Sequence, residues 1–119
     1  MLKSQEGIEL VVVDYLQLVG PGRWRREDTR EREVADVSRK LKALAAELKL
    51  PVFALSQVND QGMLRESRAI GQDADIVLMI AESKSEDASD VDILIEKHRS
   101  GARGKRITVQ FYGEYMRFQ

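Results

Sequence analysis

Apolar and polar positions along the chain fall into two periods. Ile8 to Val13 is a run of mostly β-branched residues without in/out alternation, ending on Asp14. Such a run predicts a strand buried on both faces of a parallel sheet, over about residues 8–14. Asp28 and Glu31 have the spacing of a capping box, and Val34, Val37, Leu41, Leu44 and Leu48 recur at steps of three and four. That spacing predicts an amphipathic helix over 29–48, with Glu33, Arg39, Lys40 and Glu47 on its solvated face. Pro51 ends the helix and Val52 to Gln57 opens a second strand. The unit is β-α-β, so the two strands are expected to be parallel, with a right-handed crossover.

After a polar segment over 58–71, with one helical turn expected near Ala69, a third buried strand is predicted over 75–80. It is expected in the same mainly parallel sheet as the first two. Residues 91–96 and 107–112 read as further strands. Gly113-Glu114 fits a two-residue turn pairing 107–112 with 115–118 as an antiparallel hairpin. The fold class is therefore α/β. One long helix cannot cover both faces of three buried strands. The second face is expected to be bare, as in part of a larger α/β domain or in a chain that covers it by association.

Composition narrows the chemistry. The chain has 119 residues, 19 basic and 20 acidic, so net charge points to no partner. Its distribution is uneven: residues 82–90 are mostly acidic, while Lys97 to Arg106 is strongly basic. Without cysteine and with His98 as the single histidine, no disulfide, Cys-based or His-rich metal site can form. No secretory or membrane-length apolar run occurs, which favours the cytoplasm and no membrane partner.

Asp14 ends a strand at the edge where open α/β sheets bind ligands. There it can hold a Mg²⁺ bridging nucleotide phosphates, or simply cap a turn. Gln57 ends the second strand and should lie beside Asp14 if the strands are neighbours. Lys97 to Arg106 places basic groups in a loop opened by small residues. Gly104-Lys105 imitates a phosphate loop, but the spacing back falls on Arg99, and Arg106 stands where Ser or Thr is needed. No segment fits G-x-x-x-x-G-K-[ST].

Six blocks occur in one order: residues 12–18 (Val-Val-Asp-Tyr-Leu-Gln-Leu), 38–45, 51–59, 64–67 (Leu-Arg-Glu-Ser), 72–75 and 97–101 (Lys-His-Arg-Ser-Gly). Together they resemble the carboxyl-terminal half of the ATPase domain of replicative hexameric DNA helicases, the DnaB family, from about Ile8 to Phe118. The resemblance implies a partial RecA-like core of the P-loop NTPase superfamily, spanning residues 1–119 with its phosphate loop and water-activating glutamate upstream. It implies ATP and Mg²⁺ as cofactors, identical subunits in a ring, most simply a hexamer, and unwinding of duplex DNA during replication.

Carried over by position, Asp14 matches the metal-associated aspartate, and Gln57 the glutamine that senses the terminal phosphate. Lys97 and Arg99 match a lysine and an arginine finger that reach the ATP of the neighbouring subunit. Arg103, Lys105 and Arg106 match nothing and are expected in a solvated turn. Arg65, Glu66 and Arg68 match the loop that holds single-stranded DNA by its backbone, a sequence-independent contact suited to a motor. That loop departs from the family, which usually has arginine at Asp60, aspartate at Met63 and glycine at Arg68. Arg23-Trp24-Arg25-Arg26 occupies the position of a second channel loop, where Trp24 either stacks on a base or covers a local apolar patch. Two alternatives stay open. One is a non-catalytic single-stranded-DNA-binding or ring-associating module that keeps the fold without the motor. The other is a different RecA-like ATPase, such as a recombination protein, against which the Asp-Tyr-Leu-Gln-Leu and Leu-Arg-Glu-Ser blocks argue.

Overall fold

The computed structural model describes residues 7–19, 30–59 and 68–119. The expected cap at Asp28, the Arg23–Arg26 loop and most of the 58–71 segment lie outside the described residues. The chain divides into two units, Met1–Ala74 and Asp75–Gln119.

In the first unit, β1 (Val11–Val13) and β2 (Val52–Ala54) pair in parallel, Val11 opposite Val52 and Val13 opposite Ala54. Helix α1 (Arg30–Leu48) connects them, as the β-α-β pattern predicts. Each strand is only three residues long. The pair is extended at both ends by Val11 N–H donating to the Pro51 carbonyl (3.1 Å) and Leu55 N–H to Val13 (2.9 Å). A 3-10 turn over Leu16–Leu18 follows β1, and a one-turn helix α2 (Ala69–Asp73) ends the unit, near Ala69 as expected. Leu16, Val34 and Val37 form the core, with Leu41 and Ile70 packed against it. Ser38, buried on α1, donates to Asp73 at 2.8 Å and pins α2 to the helix.

Two expectations for this unit change. Leu10, Val12, Phe53 and Leu55 are exposed, so β1 and β2 are covered on one face and bare on the other. One helix can do no more, and the bare second face is the expected consequence. Glu33 is buried rather than solvated, because it faces Arg30 at 3.5 Å while Arg30 also bonds the Gln17 carbonyl. Arg39, Lys40 and Glu47 are exposed.

Helix α1 ends in a left-handed Lys49 (φ 52°), with Leu50 N–H returning to the Ala45 carbonyl at 3.2 Å. This is the six-to-one bond of a Schellman ending, usually built on glycine.

The second unit is an antiparallel sheet in the order β3 (Ile76–Glu82), β4 (Asp90–His98), β5 (Arg106–Tyr112), β6 (Arg117–Phe118). Here the placement of the third predicted strand differs. Among the described residues β3 is bonded antiparallel to β4, from Ile76↔His98 to Glu82↔Val91, in the four-stranded sheet of this unit. The connection over 83–89 explains this, because its serines and aspartate close a compact turn. Ser89 bonds Asp87 through both N–H (2.9 Å) and hydroxyl (2.7 Å), and Asp90 N–H reaches the Asp87 carbonyl at 3.1 Å. A short closed connection leaves antiparallel pairing as the available geometry. The α/β class and the carboxyl-terminal hairpin are as predicted, and among the described residues the parallel pairing is that of β1 with β2.

The hairpin turn also differs. Tyr112 pairs with Arg117, so four residues connect the strands: a 3-10 turn over Gly113–Tyr115 and a left-handed Met116 (φ 50°). A two-residue turn with glycine first needs positive φ at that glycine, and Gly113 does not adopt it. Phe111 and Phe118 stack across the pair with centroids 4.7 Å apart.

Asp92 is the polar centre of this sheet, only 2 % exposed. It accepts from the Thr108 hydroxyl opposite it (2.7 Å) and from Arg106, which opens β5. Arg106 is thus a structural partner in a strand and not part of a solvated turn. The hydrogen bond from Thr108, then that from Arg106, holds the Asp92 carboxyl below its ordinary range against the opposing effect of desolvation. Beyond β4 the chain folds back through Gly104 (φ 79°), whose N–H bonds the Ile95 carbonyl at 2.7 Å. Gly101 lies against His98: an added Cβ would stand 2.2 Å from both Cε1 and Nδ1 of the imidazole.

Three outcomes are expected. Lys49→Gly relieves the left-handed cost and raises stability in thermal melts by about 0.5–1 kcal/mol after glycine's entropy is counted. Asp92, with its folded value depressed, contributes stability that is complete above its ordinary 3.8 and is lost as pH falls through the folded value. In urea titrations the stability gap between wild type and Asp92→Asn therefore narrows on acidification from about pH 5 to pH 2. A pH-independent gap contradicts this. Gly101→Ala destabilises by forcing the imidazole aside, and the double variant with His98→Ala recovers most of the loss. The coupling energy is about 0.5–3 kcal/mol, and additive effects contradict the packing account.

Candidate functional site

Two sets of expected site residues are described, one in each unit. Asp14 directly follows β1, and Gln57 lies three residues past β2. Because these strands are bonded in parallel, both residues emerge at the same carboxyl edge. Leu16 N–H donates to the Leu55 carbonyl at 2.8 Å, continuing the link between the two strand ends beyond the ladder. Asp14 is exposed, and the Asp14–Tyr15 peptide is cis. Among the described residues no group of three or more His, Cys, Asp or Glu could hold a metal ion. A lone exposed carboxylate at a strand end suits Mg²⁺, which keeps waters and takes one or two carboxylates together with substrate phosphates. The donor set therefore fits a magnesium–nucleotide complex, and does not fit a metal caged by protein alone.

Between these strand ends lies Gln17, to which the sequence drew no attention. It is 5 % exposed. Its Nε2 donates to Ser56 Oγ at 2.9 Å, its Oε1 accepts from the Gln57 N–H at 3.2 Å, and its carbonyl accepts from Arg30. A glutamine between two leucines was the available signal. A polar side chain inside an apolar block either turns outward or is bonded on every side, and here it is bonded.

The second set lies at the end of β4. Lys97 is half-buried within the strand, opposite Val77. Arg99 is one residue beyond it, with its N–H on the Asp75 carbonyl (2.9 Å) and its guanidinium 3.3 Å from the Asp75 carboxylate. The Arg99 side chain is 73 % exposed. An exposed pair of this kind contributes little to stability. Gly101 completes the motif by leaving room for His98, a packing role distinct from ligand binding.

Of the DNA-loop residues, Arg65 and Glu66 lie outside the described residues, as does Trp24. Arg68 precedes α2 in helical geometry (φ −68°, ψ −22°), is exposed, and its carbonyl accepts the Gln72 N–H at 3.3 Å. No helix among the described residues is long and apolar enough to cross a membrane.

The chain is similar to known proteins along nearly its whole length. The family profile of the DnaB-like helicase C terminal domain matches residues 1–119. The replicative DNA helicase DnaB of Leifsonia xyli subsp. xyli is 41 % identical over 133 aligned positions, covering 98 % of this chain and 28 % of the relative. That of Pasteurella multocida is 42 % identical over 133, with 98 % and 28 % covered. The chain thus spans under a third of these relatives. The aligned stretch also exceeds the 119 residues here, so the relatives carry residues within it that have no counterpart. Among solved structures, an ATPase domain superposes with a TM-score of 0.82 at 33 % identity, over 98 % of this chain and 46 % of that one. A DnaB-like replicative helicase described with its interactions with primase gives the same TM-score and identity, over 98 % and 31 %. The described elements, the paired strand ends and the match along the whole sequence lead to one conclusion: this chain belongs to the family of DnaB-like helicase C-terminal domains, with a RecA-like ATPase fold.

Proposed function

We propose that this chain is the carboxyl-terminal part of the motor of an ATP-dependent replicative DNA helicase, working as a ring of identical subunits on single-stranded DNA. The observation that carries this reading is the emergence of Asp14 and Gln57 at one edge of a parallel strand pair, in a chain of this family. Asp14 would hold Mg²⁺, which when bound with ATP neutralises charge on the phosphates. The Gln57 side-chain amide can both donate and accept, and so reports on the terminal phosphate without adding charge. Lys97 and Arg99 would act on the ATP of an adjacent subunit, Arg99 exchanging its exposed partner Asp75 for a phosphoryl group. A planar guanidinium there stabilises charge that grows in the transition state. Arg65, Glu66 and Arg68 would hold the DNA backbone, the Arg68 charge standing in for the close approach a glycine gives. The second reading is a module of this fold that binds DNA or joins a ring without hydrolysis.

The two readings separate on ATP hydrolysis by an assembled ring, and the role across the subunit boundary on Arg99. In a ring assembled from polypeptides that join this chain to a phosphate loop, for instance a chimera with the Pasteurella multocida relative, Arg99→Ala should lower ATP turnover by roughly 10³–10⁵. Nucleotide binding and ring assembly should change little, because the interaction strengthens only as charge develops. Mixing variant with wild-type subunits should depress activity more steeply than the variant fraction. Hydrolysis at the parental rate would make Arg99 a surface charge and overturn its assignment, whereas a wild-type chimeric ring that assembles yet hydrolyses no ATP would favour the non-catalytic module.

A further inference from the structure

We propose that Gln17 is a positioning residue, whose single buried amide fixes the peptide from which the Gln57 side chain springs. The inference rests on the reading of Gln57 given above. Both ends of the Gln57 backbone lead back to Gln17. The Gln57 N–H donates to Gln17 Oε1 at 3.2 Å. The Gln57 carbonyl accepts from Ser56 Oγ at 3.3 Å, and that hydroxyl itself accepts from Gln17 Nε2 at 2.9 Å. These contacts lie just past the strand ladder, whose last pair is Val13 with Ala54 and which Leu55 extends by its own backbone bonds. Ser56 and Gln57 follow directly on that end.

Gln17 is itself held in place. It sits in the 3-10 turn next to the core residue Leu16, and its carbonyl accepts from Arg30, the first residue of α1. Arg30 in turn faces the buried Glu33. The turn after β1 thus grips the segment after β2 through one amide that uses both its donor and its acceptor. Glutamine is the only uncharged side chain of this length that does both, since leucine does neither. Glutamate keeps an acceptor for the Gln57 N–H and leaves the Ser56 hydroxyl to turn round and donate.

Backbone-amide hydrogen exchange on the full chain tests the grip. In Gln17→Leu, Gln57 should exchange roughly tenfold faster than in the wild type, with the amides of Val34 and Val37 in α1 unchanged. Gln17→Glu should restore most of the protection. If Gln17→Leu fails to fold, Gln17→Asn against Gln17→Glu decides, because the shorter amide cannot span the gap. Equal Gln57 exchange in those two, or wild-type exchange in Gln17→Leu, overturns the proposal. In an ATPase ring containing the chain, Gln17→Leu should lower kcat by roughly 10²-fold, leaving the ATP KM nearly unmoved, with partial rescue by Gln17→Glu. A Gln57 exchange that responds while kcat does not would keep Gln17 as the holder of this peptide and overturn the sensor role of Gln57.

Discussion

The parallel bonding of two three-residue strands is the constraint on which the first unit depends. Val11–Val13 and Val52–Ala54 contribute few ladder bonds, and short strands of this kind do not hold together unaided. Their pairing is secured from both sides. On one face α1 packs Val34 and Val37 around Leu16, while at the carboxyl edge Leu16 and Gln17 bond Leu55 and Gln57 directly. Asp14 and Gln57 share an edge only because this pairing is parallel; antiparallel strands would have sent them to opposite ends. The same apolar side chains that place the edge leave the other strand face bare, with Val12 and Phe53 more than half exposed.

The second unit is organised by a polar interaction at its centre. Asp92 occupies an interior strand position that would ordinarily take an apolar residue, and each of its oxygens has a partner from β5. Burying a carboxylate costs free energy unless it is paired and hydrogen-bonded, and Thr108 with Arg106 meets that condition. The pairing also fixes register, since a one-residue slip of β5 would carry Thr108 to the other face and leave the carboxylate without it. The far end of β4, where Lys97 and Arg99 stand, is held instead by β3, with Lys97 opposite Val77 and His98 opposite Ile76.

Much of this was legible in the sequence, for definite reasons. The helix could be read because Val34, Val37, Leu41, Leu44 and Leu48 keep one period along its length, and its end because Pro51 follows. The edge shared by Asp14 and Gln57 followed from the handedness and direction of a β-α-β unit. The partner of β3 was not legible, because an apolar run does not state which strand it will bond. The turn at 83–89 decided it, through side-chain bonds that look from sequence like a plain acidic loop. Glu33 and Arg106 were read as solvated because periodicity and charge say nothing about a specific counter-charge nearby. Gln17 stayed hidden inside a motif of the family, where its neighbours Leu16 and Leu18 made it look like a spacer.

On the proposed function, the β1–β2 edge faces the metal–nucleotide complex. The direct measurement replaces Mg²⁺ by paramagnetic Mn²⁺, with ATP, in an assembled ATPase containing this chain, and follows the broadening of backbone amide signals. The strongest broadening is expected at residues 14–17 and 55–57, with its loss in Asp14→Asn. Broadening centred on the acidic residues 82–90, or undiminished in Asp14→Asn, would contradict it.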